Sequence, residues 1–258
     1  MMKNILVVLS LFLSNVLYSQ TKMNLIKGGS YKPFFGSTET PDVQVQDFYL
    51  DVTPVTHQQF AEFVKNNPKW QKGNVKKIFA DENYLNGWAL PNTAPAEFSN
   101  KPVNYISWFA AKTYCECQGK RLPTLEEWEY VAMASPKKRD ARKDSLFIKK
   151  ILSGYETPKT YLFDIGKTEA NIWGIKDLHG VVWEWVYDYN SVILGNESRK
   201  RREDNADFCG AESVGTTDLM NYAAFIRFAL RASLKANFCI ANLGFRCAKS
   251  IPTKTPNL

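Results

Sequence analysis

Histidine is nearly absent from this 258-residue sequence, which has only His57 and His179. A metal site built on three imidazoles therefore cannot come from one copy of the chain. No G-x-S-x-G elbow is present, so nothing supports a serine nucleophile worked by one of those histidines. There is no internal repeat and no low-complexity tract, which excludes solenoids and arrays. After the first twenty residues no apolar run is long enough to cross a bilayer as a helix. Cysteine is sparse and odd in number: Cys115, Cys117, Cys209, Cys239 and Cys247.

The start of the chain is informative. Lys3 gives a short positive region, Ile5 to Leu17 is apolar apart from Ser10, Ser14 and Asn15, and Ser19 is a small residue before Gln20. This reads as a secretory signal peptide over residues 1–19, cleaved after Ser19, with residues 20–258 forming a single domain. The apolar run is short for a membrane anchor, and no cysteine follows it to carry a lipid. The expectation is a secreted or periplasmic protein with no membrane anchor in the mature chain and no access to nucleic acid. In such a compartment disulfides are the default for cysteine. An odd number leaves one thiol free or paired outside the chain. Net charge is +7, and the basic excess gathers in Lys137–Lys143 and Arg199–Arg202. Two solvated loops are the plainer reading of these runs; a docking surface for an acidic partner is the sharper one.

Hydrophobic residues make up 45% and charged residues 23%, enough for a sizeable core. Aromatic residues reach 14%, which favours loops and short strands rich in rings over a helical bundle. Met23 to Tyr31 and Val43 to Leu50 read as strands. Thr56 and Gln59 form a capping box for a helix carrying Phe60, Phe63 and Val64. Ser107 to Gln118 reads as a helix stopped by Gly119, and Thr124 with Glu127 caps another carrying Trp128, Val131 and Ala132. Residues 66–100 read as a long polar surface segment and 140–161 as an exposed excursion. Later signals are short: Trp183 to Tyr187, Arg227 to Ala232, and Gly244 to Ala248. Arg121, Arg231 and Arg246 are planar donors suited to pinning loops, with Glu127, Glu129 and Glu184 as partners. These patterns predict an α+β domain with few helices, short strands and much irregular chain.

Four blocks in order carry a resemblance. They are Phe48–Thr53; Lys101–Trp108, continuing to Gly119-Lys120-Arg121-Leu122-Pro123-Thr124 and Glu127-Trp128-Glu129-Tyr130; Asn171-Ile172-Trp173-Gly174 with Asp177, Gly180 and Trp183-Glu184-Trp185; and Arg227, Ala229 and Arg231 with Asn242-Leu243-Gly244-Phe245-Arg246-Cys247. Together they resemble the formylglycine-generating (sulfatase-modifying factor) family over most of the chain. That resemblance implies the family's C-type-lectin-like fold and a disulfide between Cys115 and Cys247. It also implies a groove for a cysteine-containing peptide near Trp185, and copper(I) held by two thiolates, which suit that soft ion.

The chain departs from the family at the site itself. Cys209 is the nearest match to the first copper ligand, and Ala223 stands where the second belongs. Val181 replaces an asparagine of the family's calcium set, leaving Asn171, Asp177 and Glu184 for calcium. Cys239 invites pairing with Cys209, either as a second disulfide or as a thiol pair; otherwise it is a small buried residue. Two functions follow. One is a non-standard family member serving as an accessory or maturation factor for an exported protein or peptide. The other is an oxidase acting on a cysteine-containing peptide or small molecule through Cys209.

Overall fold

The computed structural model describes residues 21–34, 41–190 and 219–252. Chain entry and chain exit meet in one antiparallel sheet. Strand β1 (Met23–Ile26) pairs with β4 (Phe48–Asp51), which pairs in turn with β7 (Ala248–Ser250). The register sets Leu25 beside Tyr49 and Tyr49 beside Lys249, while Ile26, Phe48, Leu50 and Ala248 are buried. A pair formed by β2 (Gly29–Tyr31) and β3 (Val43–Val45) and a parallel pair formed by β5 (Trp183–Glu184) and β6 (Leu243–Gly244) complete the strands among the described residues. The two stretches expected as single strands are thus each broken in two, at Lys27–Gly28 and at Gln46–Asp47. Lys27 and Gly28 both bond to the Asp47 carboxylate instead of continuing a ladder.

The helices start where side chains can satisfy their first amides. Helix α1 (His57–Asn66) and helix α3 (Leu125–Ala132) carry complete capping boxes, Thr56 with Gln59 and Thr124 with Glu127. Ser107 caps α2 (Trp108–Cys117), and Gly119, with a φ of 65°, turns the chain out of it. Two apolar clusters make the core. One joins Phe60 and Phe63 of α1 to Tyr114 of α2, Trp88, Trp185 and Phe245. The other lies between the three-stranded sheet and α3, with Ile26, Leu50, Trp128 and Val131. Each such side chain contributes about 1.5–3 kcal/mol by leaving water.

Three expectations need correction. Residues 66–100 are not a surface segment: Trp70, Tyr84, Leu85 and Trp88 enter the first cluster. Their polar atoms find partners inside, with Trp88 Nε1 donating to His57 Nδ1 at 2.9 Å and the Tyr84 hydroxyl to the Trp70 carbonyl at 2.9 Å. Residues 140–161 contain helix α4 (Ser145–Glu156), capped by Asp144, whose Ile148 and Ile151 are buried against Ala223. Ala223 belongs to α5 (Leu219–Ser233), a helix of 15 residues where only a short signal was legible. Its inner face carries Arg227 and Arg231 at helical spacing. An amphipathic pattern that looks for apolar residues on the buried face therefore misses it.

Candidate functional site

A buried ionic frame holds the irregular chain. Arg246 lies at zero exposure and forks onto Glu184, with contacts between 2.8 and 3.0 Å. Its remaining donors reach the carbonyls of Asp51, Val52 and Lys176. Arg227 forks onto Glu129, and Arg231 donates to the same carboxylate at 2.9 Å. Arg121 forks onto Glu127 nearer the surface. The residue types suggest Arg121, Arg231 and Arg246 and the acids Glu127, Glu129 and Glu184 as two sets; the structure pairs them as Arg121–Glu127, Arg231–Glu129 and Arg246–Glu184 and adds Arg227 to Glu129. Burial alone would raise the Glu129 pKa, but Arg227 and Arg231 outweigh it and hold the carboxyl below its usual range. Burial pulls the Arg231 pKa down, and the Arg227 charge beside it adds to this, against the opposing pull of Glu129.

The three residues kept for calcium have other work. Glu184 faces Arg246 and also accepts from Trp128 Nε1 at 2.8 Å. Asp177, with a φ of 60°, accepts from the Gly166 amide and from the amide and hydroxyl of Thr168. Asn171 donates to the Val131 carbonyl and accepts from the amides of Trp173 and Ile175. Calcium needs six or more oxygens free to face it. These donors and cations occupy those oxygens, so the set does not fit calcium. Among the described residues no group of three or more His, Cys, Asp or Glu could hold a metal.

The cysteines divide. Cys115 of α2 and Cys247, 132 positions apart in sequence, form a disulfide with Cα atoms 5.6 Å apart. This is the pair the resemblance implies. The Cys247 end is clamped further, because its amide donates to Asp51 Oδ2 at 3.0 Å and Lys120 pairs with Asp51 Oδ1 at 2.7 Å. Cys117 is a free, exposed thiol, and Cys239 is free and buried. Burial raises the Cys239 pKa and the nearby Asp81 adds to it, so this thiol stays protonated. Cys209 lies outside the described residues. Ala223, which the resemblance sets at the second copper ligand, is buried against Ile148 and Ile151. Its carbonyl accepts from Arg227. The residues present there do not fit a copper(I) thiolate site.

Trp185 does not line a groove. It is fully buried, its Nε1 donates to the Ile106 carbonyl at 3.0 Å, and its ring meets Tyr189 edge-on at 5.1 Å. The rings that reach solvent lie beside it, and Phe79, Phe109 and Tyr189 among them were not singled out from the sequence. Phe79, Phe109 and Trp108 follow one another at centroid distances of 5.3 and 5.4 Å, and Trp108 continues to Tyr187 at 6.1 Å and Tyr189 at 6.2 Å. Phe79 is 40% exposed and Tyr187 52%. Trp108 Nε1 donates to the carbonyls of Val186 and Tyr187, which fixes its plane. A contiguous band of rings held this way suits a partner's apolar side chains. The Tyr187-Asp188-Tyr189 doublet after Trp185 and the high aromatic content were its only sequence signals.

Both histidines are structural. His57 accepts from Trp88, and His179 bridges the Ala132 carbonyl and the Tyr155 hydroxyl, which itself accepts from Arg227. Burial pushes each imidazole down to about 4, and for His179 the Arg227 charge helps. In the unfolded chain both take up protons near pH 6.5. The folded state therefore has its full histidine contribution above pH 6.5 and loses it as pH falls toward 4. Stability should drop by about 1.4 kcal/mol per histidine per pH unit in that window. Urea unfolding at pH 7.5 and pH 5.5 should differ by about 3 kcal/mol. A His179→Gln variant that still folds should show roughly half of that dependence.

The family described as "sulfatase-modifying factor enzyme 1-like domain" matches residues 11–251. A cattle (Bos taurus) protein named "inactive C-alpha-formylglycine-generating enzyme 2" is 28% identical over 83% of this chain and 80% of its own length. The "formylglycine-generating enzyme" of Streptomyces coelicolor is 27% identical over 85% of this chain and 83% of its own. Among solved structures, that of CarF covers 90% of this chain and 99% of its own, at 16% identity and a TM-score of 0.48. With a match that runs through both ends of the ionic frame and the Cys115–Cys247 disulfide, the chain belongs to the sulfatase-modifying factor enzyme 1-like family and has its α+β fold, with few helices, short strands and much irregular chain.

Proposed function

We propose that this protein is an exported, non-catalytic member of its family that serves as an accessory or maturation factor for an exported partner protein. The observation that carries this reading is Ala223. At the place of the family's second thiolate it presents a methyl group, packed under Ile148 and Ile151. Without two thiolates the family's copper(I) chemistry has no seat. The name of the cattle relative describes that protein as inactive, so loss of the reaction has a precedent on this fold. What the fold retains is a rigid frame and the band of Phe79, Phe109, Trp108 and Tyr187, which suits recognition of another chain. The signal-like sequence of residues 1–19 supports a partner in the secreted or periplasmic space.

Incubation with a sulfatase-type Cys-x-Pro-x-Arg peptide, oxygen and copper tests the reading. Mass spectrometry should find the peptide thiol unconverted. A product lighter by about 18 Da, formed at a rate set by protein and copper, would overturn it, since that is the mass change from thiol to aldehyde.

A further inference from the structure

The sequence holds one Asn-Gly pair, Asn86-Gly87, and the fold sets it on the surface. The Leu85 carbonyl accepts from the Trp88 amide at 3.1 Å, so Asn86 and Gly87 are the two central residues of a tight turn. Gly87 has a φ of 87°, which the second central position of such a turn can require and which glycine adopts without strain. Both central residues are exposed, while Leu85 and Trp88 on either side are buried in the first apolar cluster.

The polar groups of this pair are uncommitted. Among the described residues nothing accepts from the Gly87 amide, and the Asn86 side-chain amide has no partner to hold it. The space beside Gly87 is open: a side chain built there would come within 4 Å of the Phe98 ring alone, at 3.6 Å. Other asparagines are held differently. Asn67, Asn104 and Asn171 donate from their side chains to the carbonyls of Phe63, Ala241 and Val131. Every other asparagine in the sequence also precedes a residue with a side chain, which crowds the amide nitrogen that follows.

We propose that Asn86-Gly87 is a self-modification site, at which the Asn86 side chain loses ammonia to its own backbone. The Gly87 nitrogen, its proton taken by hydroxide, bonds to Asn86 Cγ. The Cγ–Nδ2 bond breaks, and ammonia leaves with a proton from water. Water then opens the five-membered imide at one carbonyl or the other, giving aspartate or its isomer linked through the side chain. The sum is one amide and one water consumed, one carboxylic acid and one ammonia formed, with no oxidation or reduction. Attack within a five-membered ring is fast because both groups are already joined. The isomer adds a methylene to the main chain between two anchored residues. The Leu85 amide donates to the Tyr105 carbonyl at 2.8 Å, and the Trp88 carbonyl accepts from Lys72 at 2.7 Å while its Nε1 donates to His57. A close-packed tryptophan must therefore shift to absorb the added length.

Peptide mapping of the full chain after storage in mildly alkaline buffer tests it. The fragment containing Asn86 should become heavier by about 1 Da as its amide becomes a carboxyl group. Storage in mildly acidic buffer should slow the change, because the attacking nitrogen must first lose its proton. Asn86→Gln lies at the surface and carries its amide carbon one methylene too far for a five-membered ring, so conversion should slow at least about tenfold. The stored protein should also unfold at a lower urea concentration than the Asn86→Gln variant stored beside it. A synthetic peptide spanning Tyr84 to Leu90 gives the rate without the fold. The proposal fails if Asn86 in the folded protein is unchanged after a time in which that peptide converts, or if the mass gain falls on other asparagines. It fails equally if converted and unconverted protein unfold at the same urea concentration.

Discussion

Removing the Cys115–Cys247 disulfide should cost about 5 kcal/mol of stability. The bond closes 132 residues of chain, and the entropy it removes from an unfolded loop of that length corresponds to about 5 kcal/mol at room temperature. Both half-cystines are fully buried, so the native state must also accept two unpaired groups in the core when the bond is lost. The bond ties the end of α2 to the residue just before β7, the strand that pairs with β4 at one edge of the three-stranded sheet. Losing it loosens the sheet edge as well as the helix. Guanidinium titration of the oxidised protein against a Cys115→Ala/Cys247→Ala variant measures the effect. Cys117→Ser serves as the control and should change stability little, because its thiol is exposed. A loss below about 1 kcal/mol would contradict the chain-entropy argument for this loop.

Breaking the Glu129 cluster should be nearly as severe. Glu129 is fully buried between Arg227 and Arg231, and the Trp128 ring lies against Arg231 at 4.5 Å. Glu129→Gln keeps the shape but leaves two buried guanidiniums without a counter-charge. The expected cost is about 4 kcal/mol. The reason is the stranded charge rather than the strength of the original pairs. Replacing all three residues by apolar side chains of similar size should therefore recover much of the loss. Urea titrations of the single and triple variants distinguish the two cases. If Glu129→Gln costs less than about 1 kcal/mol, water or a neighbouring group must be satisfying the arginines.

These two predictions rest on features that could be read from the residues or their resemblance. The capping boxes at Thr56 and Thr124 were legible because a side chain three residues on must answer the first free amides. The pairing of Arg121, Arg231 and Arg246 with Glu127, Glu129 and Glu184 was legible because a loop-rich fold needs planar donors with acid partners. Two of the segments that escaped share one physical cause. Helix α5 buries a charged face, and the 66–100 segment buries rings spaced at neither two nor 3.6 residues. Periodicity assumes apolar side chains on the inner face of regular elements, and both segments break that assumption. At the candidate site the proposed departure at Ala223 came from the resemblance alone. The apolar packing beneath α4 was not legible, because α4 itself read as an exposed excursion. Asn171, Asp177 and Glu184 are oxygen donors by type. Whether those oxygens face a metal depends on Arg246, Gly166 and Thr168, which reach them from distant or irregular chain.

We propose that this chain keeps its family's frame without its copper site. Anaerobic titration of reduced, full-length protein with copper(I), in competition with a coloured chelator, tests it most directly. The chelator should keep the copper, and Cys209→Ser should change nothing. One copper(I) taken from the chelator per chain, and lost in the Cys209→Ser variant, would contradict it.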